Sequence, residues 1–336
     1  MQRISWISCK MYLSSFIKDK RGSRGMETLA LVVPCYNEEK TIPIFYETVE
    51  KIKEQIPAQI AYYFVDDGSK DRTLAILRTL TYNNPLGGDV HYISFSRNFG
   101  KEAALYAGLQ AADGDYIATM DVDLQHPPAL LPTMWNFLHE HREYDCVATR
   151  RISRTGEPKI RSFFAKLFYQ LINDLSDTEI VDGAQDYRLM SRKMADAIVT
   201  DSEYNRFSKG IFSWVGFRTK WIPIENVERC AGTSKWSFWK LFRYSIEGIL
   251  AYTTIPIYIS SIIGLIMCGI SFLALLFIVI RAMLFGDPVA GWPSLVSIIT
   301  FLGGLILLCM GVMGLYIAKI YLETKHRQIY IVREER

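Results

Sequence analysis

Residues 117–128 read IATMDVDLQHPP. An apolar run passes directly into Asp121, Val122 and Asp123, then Gln125, His126 and two prolines. Taking a carboxylate out of water costs free energy unless a positive charge or a donor meets it. Two explanations compete: a solvated loop, or a cation held at the edge of a sheet. In an extended strand, residues i and i+2 point to one side, so this spacing puts Asp121 and Asp123 on a common face. Oxygen donors of this type suit Mg²⁺ or Mn²⁺, which keep further positions for phosphate and water. Gln125 adds a third oxygen, directly or through water. His126 is expected to be an ordinary surface or supporting histidine rather than a ligand.

Working outward, the flanking segments alternate between two periods. TLALVV (28–33), stopped by Pro34, reads as a buried strand. IAYYFVDDGS (60–69), VHYISFS (90–96), YIATM (116–120) and YDCVATR (144–150) read the same way. Between them, residues 38–56, 71–80, 98–112 and 128–141 carry helical spacing. Strands alternating with helices predict an α/β fold with a mostly parallel sheet covered on both faces. Ligands of such sheets bind beyond the carboxyl ends of the strands. Three strand ends carry site chemistry, PCYNEE, VDDGSKD and MDVDLQ, and all three are expected on one edge. Ser69 or Asp71 alone would satisfy a turn or a helix cap. The adjacent Asp66 and Asp67 exceed that need, and a carboxylate there can accept from a base or a ribose. No GxGxxG follows the first strand and no GxxxxGK[ST] occurs, which disfavours dinucleotide oxidoreductases and P-loop nucleotidases.

The 336-residue chain is half hydrophobic, and its formal charge of +3 does not point to nucleic acid. No charged residue occurs in 248–280 or in 288–318. Each run exceeds the roughly 20 residues that span a bilayer as a helix. The connection RAMLFGDPVAGWPS has no Lys or Arg after Arg281, whereas Lys319, Lys325, Arg327, Arg333 and Arg336 follow the second run. The bias of cytoplasmic loops toward Lys and Arg puts the tail, and everything before the first run, in the cytoplasm. The six cysteines form no CxxC pair and are expected as reduced thiols. The first 25 residues are basic, lack a long apolar core, and read as a solvated arm or an upstream start before Met26 rather than a signal peptide.

The expected organisation is a flexible basic arm (1–25), a cytoplasmic catalytic domain (26–232) and a juxtamembrane amphipathic helix (233–252). A first membrane helix (253–281), an external loop (282–291), a second membrane helix (292–318) and a cytoplasmic tail (319–336) follow. FFAKLFYQLI (163–172) and KWSFWKLFRYSIEGILAYTT (235–254) mix aromatic and basic residues as interfacial helices do.

At this point the residues resemble a family. VVPCYNEE, VDDGSKD and MDVDLQHPP look like the family 2 glycosyltransferases with the GT-A fold. GAQDYRLMSRK, RFSKGIFSWVGF and ERCAGTSKWSFWKL are similar to its polyprenyl-phosphate sugar transferases, of the dolichol-phosphate mannosyltransferase and bactoprenol glucosyltransferase types. The resemblance covers about residues 28–325. It implies inverting transfer from a nucleotide sugar, UDP-glucose or UDP-N-acetylglucosamine, to undecaprenyl phosphate for cell-envelope glycan modification, by a membrane-bound homo-oligomer, a tetramer. It implies that Pro34, Tyr36, Glu38, Asp66 and Asp67 line the nucleotide pocket. Asp121, Asp123 and Gln125 would hold the metal and diphosphate, with Asp121 also on the nucleotide sugar. Arg150, Arg151 and Arg161 match acceptor-phosphate positions, Arg150 and Arg161 taking part in catalysis with Asp121 and Asp123. Arg206, Arg229 and Lys235 fall in motifs near the donor diphosphate or the membrane-facing loop. Asp182 and Asp186 are open between a helper and a structural role. As a bare charge run, RRISRTGEPKIR (150–161) also reads as a solvated loop.

Two rivals remain. A processive polysaccharide synthase would show QxxRW and more spans, and neither is found. A non-catalytic membrane scaffold has no use for acids at three strand ends.

Overall fold

The computed structural model describes residues 25–83, 86–87, 89–152, 173, 180–225, 255–285 and 291–336. The strands are β1 (Thr28–Cys35), β2 (Gln59–Asp66), β3 (Asp89–Phe95), β4 (Tyr116–Thr119), β5 (Cys146–Arg151), β6 (Ala184–Ser191), β7 (Thr219–Ile224) and β8 (Val332–Glu335). They form one sheet in the order β7-β5-β6-β4-β1-β2-β3-β8. β4, β1, β2 and β3 run parallel, as do β5 and β7. β6 is antiparallel to both β4 and β5. The carboxyl ends of β1, β2, β4 and β5 therefore share an edge with the start of β6, as the motif pattern requires.

The helices are α1 (Thr41–Ile52), α2 (Thr73–Tyr82), α3 (Lys101–Ala111), α4 (Leu131–Glu140), α5 (Arg192–Thr200), α6 (Ser208–Trp214), α7 (Ile255–Phe285) and α8 (Trp292–Thr324). Alternation along the strands divides the core. Leu29, Leu31, Val33, Tyr62 and Phe64 pack with Phe45 of α1, Leu77 of α2 and Trp135 of α4. Ala30, Val32, Ala61 and Tyr63 pack on the other face with Leu109 of α3, Met194 of α5 and Phe212 of α6. Each such fully buried large side chain contributes about 1.5–3 kcal/mol. A Cβ on Gly108 would stand 2.3 Å from Val32 Cγ1, so α3 lies flush on β1 and its first residue, Lys101, is carried to the site edge.

Two expectations change, and a third is met in part. β1 does not stop at Pro34 but continues through it to Cys35, paired with Val65 and Asp66 of β2. Its ladder with β4 has already ended at Val32, so the missing proline N–H leaves no gap in that ladder. The tail is not merely a trailing segment: β8 pairs antiparallel with β3 and closes that edge of the sheet. Arg78 donates from Nε to Glu334 at 2.8 Å and also from Nη2, and the Tyr92 hydroxyl donates to the same carboxylate. These contacts hold Glu334 down to about 2. The expectation of two membrane helices is met for one of them. Among the described residues one segment, Phe301–Thr324, is long and apolar enough to cross a membrane, with a mean hydropathy of 2.2; Pro256–Met267 of α7 is a shorter apolar stretch.

Candidate active site

β1 and β2 end in loops laced to each other. Asn37, at φ 54°, accepts Lys70 N–H on Oδ1 at 2.8 Å, and its own N–H donates to Ser69 Oγ at 2.8 Å. Glu38 N–H donates to Thr73 Oγ1 at 2.8 Å, and Asp71 Oδ1 accepts Thr73 N–H at 3.0 Å as that helix begins. Gly68, at φ +66°, passes so close to Arg97 that a Cβ would stand 2.4 Å from its carbonyl carbon. Only glycine meets both demands. Pro34 is buried, and Tyr36 and Glu38 are half-buried beside this wall.

The adjacent acids of β2 are buried. Asp66 accepts Ser69 N–H at 3.0 Å and the Ser94 hydroxyl at 2.7 Å. Asp67 accepts Phe99 N–H at 2.6 Å and Gly100 N–H at 3.0 Å. Burial pushes Asp67 up to about 6, against the pull of those two N–H donors. Both carboxylates thus fasten the β2–α2 and β3–α3 loops.

The end of β4 differs. The strand stops at Thr119, and residues 121–126 form a turn, so the extended-strand argument does not apply to Asp121 and Asp123. The turn, with Leu124 at φ 57°, nonetheless buries Val122, Leu124 and His126 and leaves Asp121, Asp123 and Gln125 half-exposed. Asp123 Oδ1 accepts Gln125 N–H at 3.1 Å. His126 is buried rather than superficial, 3.3 Å from Gln185 Oε1 and packed against Tyr187.

Lys101 was not anticipated. Its ammonium lies 2.7 Å from Asp121 Oδ1 and 2.5 Å from Asp186 Oδ2. The stem is partly exposed, but the tip sits between two carboxylates. Desolvation opposes its charge; Asp121 and Asp186 outweigh that and hold its pKa well above the usual lysine range. Burial likewise opposes the Asp186 carboxylate, and Lys101 followed by Lys209 hold it well below the usual range. Asp186 belongs to β6, the strand inserted beside β4, and its carbonyl accepts the Thr119 hydroxyl. On the same strand Arg188 is buried with its guanidinium 3.4 Å over the Phe212 ring.

Arg150 and Arg151 end β5 on this edge, Arg150 exposed and opposite Ala184 of β6. Two strand spacings, about 10 Å, separate β5 from β4. Arg206 is buried, donates to the carbonyls of Asp201 and Ile198, and lies over the Tyr106 ring. Asp182 adjoins the start of β6. Arg161, Arg229 and Lys235 lie outside the described residues.

Acid-bearing strand ends gathered on one edge of a mostly parallel sheet are what the resemblance called for. Glycosyl transferase family 2 matches residues 30–199. The chain belongs to this family. Similar proteins extend along nearly its whole length. It is 42% identical to a bactoprenol glucosyl transferase of Shigella phage SfV over 92% of this chain and 99% of that one. It is 40% identical to a prophage bactoprenol glucosyl transferase homolog of Escherichia coli K12, over 91% and 98%. Among solved structures, mannosyl-3-phosphoglycerate synthase from Rubrobacter xylanophilus is similar at 18% identity and a TM-score of 0.45, over 67% of this chain and 72% of that one. The protein is therefore a glycosyltransferase.

Among the described residues no three His, Cys, Asp or Glu side chains form a ready coordination shell. Asp121, Asp123 and Gln125 instead offer an all-oxygen set at an open edge where carboxylates already converge on a positive charge. That chemistry fits Mg²⁺ or Mn²⁺, ions that retain water and bind phosphate.

Proposed function

We propose that this glycosyltransferase moves a sugar, glucose or N-acetylglucosamine, from its UDP conjugate to a polyprenyl phosphate of the bactoprenol type, with inversion, for cell-envelope glycan modification. The end-to-end relation to bactoprenol glucosyl transferases carries the reading. The β4 edge supplies the chemistry. Asp121, Asp123 and Gln125 would hold a divalent ion, which when bound supplies positive charge to a leaving diphosphate. Lys101 fixes Asp121 and Asp186 relative to each other, so the carboxylates are oriented before the donor arrives. The laced β1 and β2 loops form the nucleotide wall with Pro34, Tyr36, Glu38, Asp66 and Asp67. Arg150 and Arg151, with Arg161 beyond β5, orient the acceptor phosphate toward the anomeric carbon. A phosphate oxygen is already anionic near neutral pH, so no dedicated general base is required.

The acceptor is a membrane lipid, and the fold supports two crossings. β8 lies in the same sheet as β1–β7, so both ends of the α7–α8 pair are on one side. If Phe301–Thr324 crosses, a second crossing must precede it, and α7, 31 residues and about 46 Å long, is the described helix placed to make it. The Lys/Arg excess after α8 puts the shared side in the cytoplasm.

The test incubates the purified chain with a panel of nucleotide sugars, with and without undecaprenyl phosphate, and follows lipid products by mass spectrometry. A glycosylated polyprenyl phosphate supports the proposal. Donor hydrolysis indifferent to the lipid would refute it. For the topology, an external thiol reagent on intact cells should label a cysteine placed at Asp287 and miss one at Gln328; the reverse would refute the crossings.

A further inference from the structure

Where α8 meets the sheet domain the chain forms a half-open cavity of about 240 Å³. Arg97 and Phe99 of the β3–α3 loop, Glu102 of α3, Asn205, Lys319 of α8 and Ile329 contribute to its walls. α8 is docked there through Glu323, whose carboxylate accepts Tyr204 N–H at 3.0 Å and Asn205 N–H at 3.2 Å. That acid is thereby occupied by backbone. Lys319 Nζ meets Asn205 Oδ1 at 3.0 Å, and Arg97 meets the Asn98 carbonyl at 3.0 Å and the Phe99 ring at 4.0 Å. Among the described residues neither cation has a carboxylate within 4 Å, and Arg97 acts on the Asp67 carboxylate only at longer range. The lining carboxylate, Glu102, takes Ser208 N–H at 2.9 Å and the Ser208 hydroxyl. Arg206, also on the wall, spends its guanidinium on carbonyls.

Two cations beside apolar Phe99 and Ile329 make a pocket for an anion with an apolar body. Its depth narrows the choice. Lys319 is five residues from the end of the apolar segment Phe301–Thr324. A lysine near the end of a span carries its ammonium to the level of lipid phosphates. Arg97, Phe99 and Ile329 reach the cavity from the β3–β8 end of the sheet, whereas Arg150 and Arg151 end β5, with four strands between it and β3.

We propose that this cavity holds the phosphodiester headgroup of an anionic bilayer phospholipid, gripped by Arg97 and Lys319, as a bound lipid separate from the acceptor. The assignment rests on the two-crossing reading above. It would couple membrane to site, because the loop that carries Arg97 and Phe99 is the one Asp67 fastens.

The test is native mass spectrometry of the full chain in micelles, titrated separately with phosphatidylglycerol, phosphatidylcholine, undecaprenyl phosphate and inorganic phosphate. Retention of UDP binding checks the fold of each variant. Phosphatidylglycerol should bind about tenfold more tightly than phosphatidylcholine. Arg97→Gln and Lys319→Gln should each weaken it about three- to tenfold, and together about ten- to a hundredfold. Lys325→Gln, whose ammonium lies over Tyr321 outside the cavity, should leave it unchanged. Equal binding of the two phospholipids, or indifference to both cavity variants, would overturn the proposal. So would displacement by equimolar undecaprenyl phosphate, or equally tight binding of inorganic phosphate alone. A chain that stays monodisperse without detergent or lipid would instead overturn the two-crossing reading, a distinguishable failure.

Discussion

The ends of β2 and β4 look alike as sequence: each is an apolar run delivering two aspartates. Folded, they are opposites. At β2, Asp66 and Asp67 are turned inward and their oxygens are occupied by Ser69, Ser94, Phe99 and Gly100. At β4, Asp121 and Asp123 stay half-exposed, and Asp121 shares a lysine with Asp186 from another strand. A carboxylate that accepts backbone N–H groups builds a loop. A carboxylate that faces an open edge and is oriented by a lysine can serve a substrate. Loss of the first should appear in stability and donor KM, and loss of the second in kcat.

The largest effect should come from the β4 edge. Asp121→Asn and Asp123→Asn should each lower kcat about a hundred- to a thousandfold with an unchanged melting temperature. Activity in either variant within a fewfold of the native chain would erase the contrast. Gly68→Ala should act through the fold instead, costing about 2–4 kcal/mol because a positive φ and a 2.4 Å approach to Arg97 are both violated. A thermal melt unchanged by this substitution would show that the β2 loop is not held as described.

Lys101→Met should reduce kcat about ten- to a hundredfold and Lys101→Arg should restore part of it, since the loss is of a charge-assisted pair of contacts. Equal loss in both variants would reduce Lys101 to packing. Asp67 gives a pH signature. Its folded value of about 6 lies above the ordinary 3.8, so between these the native state binds more protons than the unfolded state. Stability should then fall as pH rises from about 4 to 6 and level off above, by on the order of 1–3 kcal/mol. Asp67→Asn should lack that slope in denaturant titrations. The smallest effect is expected at β5: Arg150→Gln should raise the acceptor KM about tenfold and leave UDP binding unmoved.

The alternation of strands and helices through β5, the sheet edge and the acids on it were legible because period-2 and period-3.6 patterns are local. What was not legible depended on distant partners. Nothing beside Lys101 in NFGKEAAL announces that it will meet Asp121 and Asp186, which reach it only once α3 lies flush on β1 through Gly108 and β6 inserts beside β4. β6 itself, AQDYRLMS, interrupts its apolar pattern with Asp186 and the buried Arg188, so it does not read as an interior strand. β8, VREE, is a short charged edge strand, which resembles a tail for the reason that edges are charged. Asp66 and Asp67 were readable as acids at the sheet edge but not as loop fasteners, because their donors are backbone N–H groups and a side chain, Ser94, of the β3 end.

The most direct measurement forms the lipid product with the full chain, a UDP-sugar, undecaprenyl phosphate and Mn²⁺, comparing the native protein, Asp121→Asn and Asp67→Asn at saturating donor by mass spectrometry. The account predicts a glycosylated polyprenyl phosphate from the native chain, its loss on chelation, almost none from Asp121→Asn, and substantial product from Asp67→Asn once donor saturates. Undiminished product from Asp121→Asn, or complete loss in Asp67→Asn with native stability, would contradict it.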